Sequence, residues 1–165
     1  MKKRMFFVVL ILVVLCTGSL FAQEKRGFIK PTFGFGLTRE MAKGGGGQNF
    51  LNFFVDVDFV NSFGLTFGLQ GNFLSSMGGM GGDGFPPTSF PSLGAGYTYD
   101  GGNFNVGAKV VIFGIGDFGG LGPDISATWF FHKAAGLTLD VAWIINFGDG
   151  GGSILFAKAG VSIRI

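Results

Sequence analysis

The chain has 165 residues, of which 32 are glycine and 22 are phenylalanine, and only 13% are charged, about half the share usual in a soluble domain. The hydrophobic content of 47% excludes intrinsic disorder, the clustered glycines exclude a collagen repeat, and a single cysteine excludes a disulfide scaffold. The length allows one domain.

The N-terminal residues have the order of a secretory signal peptide. Three basic residues at 2–4 precede an apolar run at 5–15, and Ala22 offers a small residue for cleavage. The apolar run is shorter than the roughly 20 residues that a spanning helix needs. We therefore predict a signal peptide at 1–22 and one mature domain at 23–165.

Removal of the signal peptide changes the charge of the chain. The signal contains three of the 12 Lys and Arg residues, so the mature chain carries 9 of them against 10 Asp and Glu. This balance gives no basic surface and excludes a nucleic-acid partner. Cys16 is lost with the signal, and Leu15 before it is larger than the residue expected in a lipoprotein signal.

Eight segments of the mature chain alternate between apolar and polar or small residues. In the first of them Ile29, Phe33 and Leu37 alternate with Lys30 and Thr32, which is the period-two pattern of a β-strand. Each segment is long enough for a tilted strand to cross a bilayer, which takes about 9–11 residues. The segments span 29–38, 49–60, 63–74, 89–99, 104–113, 124–132, 137–147 and 153–165.

The connections between the segments alternate in length. Those after the odd-numbered segments are longer and rich in glycine, which is typical of outer-membrane barrels. An even strand count places both termini on the side of the short turns, predicted to be the periplasm. The longer connections are 39–48, 75–88, 114–123 and 148–152, and the short turns are Asn61-Ser62, Asp100–Asn103 and Lys133–Gly136.

The two faces of the segments differ in charge. The apolar face carries none, whereas the other face combines Gly, Thr, Ser and Asn with eight charges of balanced sign. In a membrane barrel the apolar face meets lipid and the polar face lines the lumen. We therefore predict an all-β fold, an eight-stranded antiparallel up-and-down transmembrane β-barrel, whose inward glycines leave room for inward aromatic rings. Those rings are Phe54, Phe90, Phe113, Phe130 and Phe156.

A charge network in the lumen is the predicted site. Buried charges are tolerable only when paired, and the hairpin register predicts Lys30 beside Asp56 or Asp58, and Lys158 opposite Asp140. No catalytic residue, metal site or cofactor is predicted. The network comprises Lys30, Asp56, Asp58, Lys109, Asp124, Asp140, Lys158 and Arg164.

The signal peptide, the eight strands, the alternating connections and the last strand at the C-terminus resemble the small eight-stranded outer-membrane β-barrels. That group contains the outer-membrane protein A barrel domain and the X and W proteins, and the resemblance covers the whole mature chain. It implies outer-membrane lipids as surroundings and recognition of the C-terminal strand, 155–165, by the barrel-assembly machinery. The last strand of this group usually ends in Phe or Trp, whereas this chain ends in Ile165.

Three motifs have simpler interpretations. The GxGxxG at 114–119 would need a following helix to bind a dinucleotide, but Gly-Leu-Gly-Pro and another strand follow, so a surface loop is predicted. Asp56 and Asp58 share the lumen face and are expected to pair with Lys30. His132, the only histidine, is predicted at the periplasmic rim without the adjacent nucleophile that catalysis would need.

The predicted function is that of a non-enzymatic integral outer-membrane barrel of a diderm bacterium, with a structural role or a narrow passage for small solutes, because eight strands enclose no wide channel. One alternative is a surface barrel that binds or adheres through its outer loops. Another is a soluble secreted lipocalin-like barrel with an apolar cavity. A passage for small apolar solutes would use an apolar lumen patch, for which the candidates are Phe54, Phe113, Ile144, Ile154 and Phe156.

Overall fold

A computed structural model describes residues 27–42, 47–76, 88–115, 118–147 and 152–165. Within these ranges the chain forms eight β-strands. In chain order they are β1 (Phe28–Ala42), β2 (Asn49–Val60), β3 (Leu65–Ser76), β4 (Thr88–Asp100), β5 (Phe104–Ile115), β6 (Phe118–His132), β7 (Ala135–Asn146) and β8 (Gly152–Ile163).

The eight strands form one closed antiparallel barrel in sequence order, which confirms the predicted fold class. β1 pairs with β2 on one side and with β8 on the other. The backbone groups of Ile29 and Ile165 exchange two hydrogen bonds at the end of the β1–β8 seam. No helix among the described residues is long and apolar enough to span a membrane.

The barrel has two distinct ends. At the turn end the strands are joined through Asn61–Gly64, Gly101–Asn103 and Lys133–Ala134, and at the loop end through the four other connections. In the first turn Asn61 Oδ1 accepts hydrogen bonds from the N–H groups of Phe63 and Leu65, both at 2.9 Å. Gly64 follows with a φ of 86°, a conformation that glycine adopts without the penalty of a side chain.

The side chains alternate between the lumen and the outer surface along every strand. Among the described residues, thirty large hydrophobic side chains are exposed on the outside, and the buried residues comprise twenty polar or charged ones and nine hydrophobic ones. This arrangement is the reverse of a soluble core, in which apolar side chains are buried and polar ones face water. The predicted distribution of the two faces is therefore confirmed.

The predicted loop 114–123 is wrong. β5 continues to Ile115 and β6 begins at Phe118, and the two strands pair through Gly114↔Gly119 and Ile115↔Phe118. Glycine weakens a strand without forbidding it, and the pairing with β5 keeps this stretch extended. The pairing between β6 and β7 is interrupted at Gly122 and Pro123, where proline has no N–H to donate, and its register shifts again between Phe130 and His132.

The predicted loop 39–48 is also too long. β1 extends to Ala42 because it pairs with β8 as far as Ala42↔Gly152. Arg39 is consequently an exposed strand residue near the loop end. The other strand limits agree with the predicted ones to within two residues, as is usual for element ends.

Several predictions concern residues outside the described ranges. These are the signal peptide at 1–22 with its cleavage point, the glycine-rich stretches at 43–46, 77–87 and 148–151, and residues 116–117 of the GxGxxG motif. The side chain of Phe90, predicted to face the lumen, also lies outside the described part of the chain.

Candidate functional site

The lumen holds a buried charged layer in its central part. Antiparallel alternation points one side chain from almost every strand inward at this level, and glycine at the remaining positions leaves room for long side chains. A Cβ added at Gly68 would lie 2.8 Å from Asp58 Oδ1 and 3.2 Å from Lys109 Nζ. We use "charged layer" for Lys30, Asp56, Asp58, Gln70, Lys109, Asp124, Asp140 and Lys158, each at most 6% exposed.

Lys109 is the centre of the charged layer. Its Nζ lies 2.7 Å from Asp58 Oδ1, 3.0 Å from Asp56 Oδ2 and 3.8 Å from Asp124 Oδ2. β5 therefore reaches across the lumen to β2 and also contacts its neighbour β6. The sequence pattern places Lys109 in the network without a partner. Asp124 lies opposite it in the β5–β6 register, which the overlong predicted loop 114–123 hides. Asp56 and Asp58 lie on β2, which is not adjacent to β5.

The two pairs expected from the register are in contact. Lys30 lies opposite Asp58 in the β1–β2 register, and its Nζ is 3.2 Å from Asp58 Oδ2. Lys158 lies opposite Asp140 in the β7–β8 register, at 2.9 Å from Nζ to Oδ1. Both pairs join strands that are consecutive in the chain, which is why the pattern of residues could predict them.

Gln70 is a member of the layer that the sequence analysis missed. Its Nε2 donates to Asp124 Oδ2 at 2.5 Å and to Asp56 Oδ2 at 3.3 Å. The signal was available, because Gln70 lies opposite Asp56 in the β2–β3 register. Gln70 was not predicted because its amide is uncharged and the predicted network contains charged residues alone.

Arg164 does not join the charged layer, contrary to the predicted network. Its Nη2 donates to Asp100 Oδ1 at 3.1 Å and to Asn105 Oδ1 at 2.8 Å near the turn end. Its guanidinium carbon lies 4.8 Å from the ring centre of Phe28 and 4.1 Å from that of Phe130. Arg164 lies at a different level along the barrel axis from the charged layer, because it follows the last residue of β8. Its side chain closes the turn end of the lumen.

A layer of hydroxyl groups separates Arg164 from the charged layer. Thr32 Oγ1 lies 2.6 Å from Ser162 Oγ, Ser162 contacts Thr138, and Thr138 Oγ1 lies 2.8 Å from Thr128 Oγ1. Either atom of each pair could be the donor. These contacts join β1, β8, β7 and β6, so the wall near the seam is connected through side chains as well as through the backbone.

An apolar layer fills the lumen on the loop side of the charged layer. It is formed by Leu74, Val111, Phe113, Ala142, Ile144 and Phe156, with Phe50 and Ile154 packed against it. Four of the five residues proposed for an apolar lumen patch belong to this group. The fifth, Phe54, is buried closer to the charges, with Lys158 Nζ 5.0 Å from its ring centre.

The other candidate motifs form no reactive arrangement among the described residues. His132 is exposed at the turn end, and its Nδ1 accepts a hydrogen bond from the Ala134 N–H at 3.3 Å. Asp56 and Asp58 lie in the charged layer with lysine and glutamine partners. The described ranges contain no group of three or more His, Cys, Asp or Glu side chains placed to hold a metal ion.

Comparisons with known proteins identify the fold and nothing narrower. No protein-family model matches the chain, and no curated protein matches it. The structure is similar to the crystal structure of neisserial surface protein A (NspA), with 12% identity, a TM-score of 0.60, and coverage of 84% of this chain and 97% of that one.

The structure is also similar to Ail, the attachment invasion locus protein of Yersinia pestis, with 12% identity, a TM-score of 0.61, and coverage of 86% of this chain and all of that one. A second crystal structure of Ail, in complex with the heparin analogue sucrose octasulfate, gives 10% identity, a TM-score of 0.56 and coverage of 86% and 100%. The chain therefore has the fold of these small eight-stranded barrels.

Proposed function

We propose that the protein is a non-catalytic integral β-barrel of the outer membrane of a diderm bacterium, with a structural role and a lumen closed to solutes. The observation that carries this proposal is the combination of an apolar outer surface with a polar, filled lumen. Burying thirty large hydrophobic side chains in lipid is favourable, whereas exposing them to water would cause aggregation. The similarity to NspA and Ail supports the outer membrane as the location.

The filled lumen favours a structural role over a passage. An eight-stranded barrel has an interior just wide enough for side chains to fill. Here the charged layer spans the lumen through Lys109, and the apolar layer lies above it towards the loop end. A hydrated solute would have to separate buried ion pairs and then cross a dry apolar region, and both steps are unfavourable.

Conductance measurements test the closed lumen. Purified barrel inserted into a planar lipid bilayer is expected to give no stable conductance steps, and a wide porin inserted under the same conditions serves as the positive control. The conductance of the double variant Phe113→Ala/Phe156→Ala, which lacks two rings of the apolar layer, is measured under the same conditions for comparison. Stable openings of the unmodified protein would contradict the closed lumen and favour the narrow passage instead.

Fractionation tests the membrane location separately. The mature chain is expected in the outer-membrane fraction and is expected to need detergent to stay in solution. The soluble lipocalin-like alternative requires a monodisperse protein without detergent. A lipocalin-like barrel would need an apolar binding cavity where this lumen holds the charged layer, and this difference disfavours the soluble alternative.

The orientation follows from the same proposal. With short turns in the periplasm, both termini lie on the periplasmic side, and the C-terminal strand is the segment offered to the barrel-assembly machinery. Protease added to intact cells is then expected to cut the loop connections and to spare a tag at the C-terminus. Cleavage of that tag in intact cells would reverse the orientation.

Adhesion through the loop end is a second candidate function. The observation in its favour is that the similar proteins are named a surface protein and an attachment invasion locus protein, although the identity of about 12% extends only to the fold. Cells that display the protein would bind host-matrix components more strongly than cells carrying a form with connections 43–48 and 77–87 shortened. Equal binding by both would remove this candidate.

A further inference from the structure

The charged layer has one more negative charge than positive charges. Among the described residues it contains three lysines and four aspartates. Lys158 and Asp140 form an ion pair with each other at 2.9 Å, so their two charges cancel. The remaining group has two lysines, Lys30 and Lys109, for Asp56, Asp58 and Asp124.

The excess charge lies at Asp56 and Asp124, because Asp58 has two close lysines. Asp58 is 3.2 Å from Lys30 Nζ and 2.7 Å from Lys109 Nζ. Asp56 and Asp124 share Lys109 with Asp58, and their Oδ2 atoms lie 3.0 and 3.8 Å from Lys109 Nζ. Their second shared donor is the Gln70 amide, which carries no charge.

Both of these aspartates also have an unused acceptor. Among the described residues, the buried Oδ1 atoms of Asp56 and Asp124 have no hydrogen-bond partner, and the two residues are 4% and 0% exposed. The nearby side chains that β3 and β4 contribute, Gln70 and Ser92, are uncharged. An ionised carboxylate held in this way is strongly unfavourable in a low-dielectric interior.

We propose that Asp56 and Asp124 together bind one monovalent cation, either a proton or an alkali-metal ion, on their unpartnered oxygens. One positive charge neutralises the layer, whereas a divalent ion would reverse its sign. The hydroxyl layer provides a polar connection towards the turn end, while the apolar layer closes the loop side.

The test measures the unfolding constant of the intact barrel in detergent micelles. If the cation is a proton, the native state holds one proton more than the unfolded state between pH 7 and 9, where unfolded aspartates are ionised. Stability then falls as pH rises, and the unfolding constant increases about tenfold per pH unit while the proton stays bound.

To test for an alkali-metal ion, the tetramethylammonium salt in the buffer is exchanged for the sodium salt at constant ionic strength and constant pH. The unfolding constant is expected to fall about tenfold for each tenfold rise in sodium concentration once the site is mostly filled. Tetramethylammonium serves as the inert ion because it is too large for a closed layer. The two series therefore distinguish the two sources of charge.

Gln70→Lys provides a tethered positive charge at the place where the cation is needed. It is expected to abolish whichever dependence the unmodified protein shows, because the two aspartates then have their own counter-ion. Gln70→Met, a matched uncharged substitution, is expected to retain the dependence. Titrations common to all variants cancel in this comparison.

The proposal is overturned if the unmodified protein shows neither dependence. It is also overturned if Gln70→Lys and Gln70→Met keep the same dependence. Where a Gln70 variant does not fold, Asp124→Asn replaces it, since removal of one negative charge is likewise expected to abolish the dependence. Asp100→Asn, which alters the partner of Arg164 outside the layer, is the control that must leave it intact.

Discussion

The charged layer and the apolar layer fill the same lumen by different physical means. In the apolar layer six side chains exclude water through packing, and each contributes in proportion to the area it buries. In the charged layer stability depends on complete pairing, because a single missing partner leaves a charge buried in a low dielectric. The apolar layer should therefore lose stability gradually as residues are substituted, whereas a single substitution in the charged layer should cause a large loss of stability.

Lys109→Met gives the largest expected effect. The substitution keeps most of the side-chain volume but leaves Asp56, Asp58 and Asp124 with one lysine, so the free energy of unfolding should fall by about 4 kcal/mol. Guanidinium unfolding in micelles measures it through Trp129 and Trp143, which are exposed on the outer surface. The control is Lys133→Met in an exposed turn. Similar losses in both variants would mean that the charged layer is not critical.

Phe156→Ala tests the apolar layer. Phe156 is 3% exposed in the lumen, and its truncation leaves a cavity that should lower the free energy of unfolding by about 3 kcal/mol. Phe67→Ala on the outer surface, where Phe67 is 65% exposed, is the matched control. Lipid or detergent chains fill the space left there, so the loss is expected to be smaller. Thermal unfolding followed by gel mobility compares the two, and a larger loss for Phe67→Ala would contradict the packed layer.

Gly122→Ala tests the close contact between β6 and β7 beside the apolar layer. A Cβ at Gly122 would overlap the backbone carbonyl of Trp143, so the strands must separate, at an expected loss of about 2 kcal/mol. Hydrogen exchange of the β6 and β7 amides should accelerate. Gly119→Ala, on the same strand but with no atom of the described residues within 4 Å of the added Cβ, should leave exchange unchanged. Equal exchange in both variants would show that the wall adapts freely.

Arg164→Gln gives the smallest expected effect. The Arg164 and Asp100 side chains are 21% and 17% exposed, and partial solvation weakens such a pair, so the expected loss is about 1 kcal/mol. The loss should shrink as salt is added. Chemical unfolding at low and high salt measures this, with exposed Arg39→Gln as the control. A salt-independent loss as large as that of Lys109→Met would place Arg164 functionally with the charged layer.

Residue patterns predicted two ion pairs on adjacent strands, but not the pair of Lys109 with Asp124 on β5 and β6 and not the contacts across the lumen. Lys30 with Asp58 and Lys158 with Asp140 follow from hairpin register, since opposite positions on neighbouring strands must meet. Lys109 with Asp58 joins β5 to β2, and that distance depends on barrel diameter and strand stagger. The extension of β5 and β6 into the glycine-rich stretch also escaped prediction, because composition favoured a loop while pairing favoured a strand.

The strand number, the alternation of faces and therefore the set of side chains that enter the lumen follow from the amino-acid order, because the period of a strand is a local property of the backbone. The folded barrel sorts those side chains by height into a charged layer, a hydroxyl layer and an apolar layer. It also determines that Arg164 closes the turn end and that Asp56 and Asp124 share too little positive charge. Closure and stagger set these relations, and they act between residues that the chain order leaves far apart.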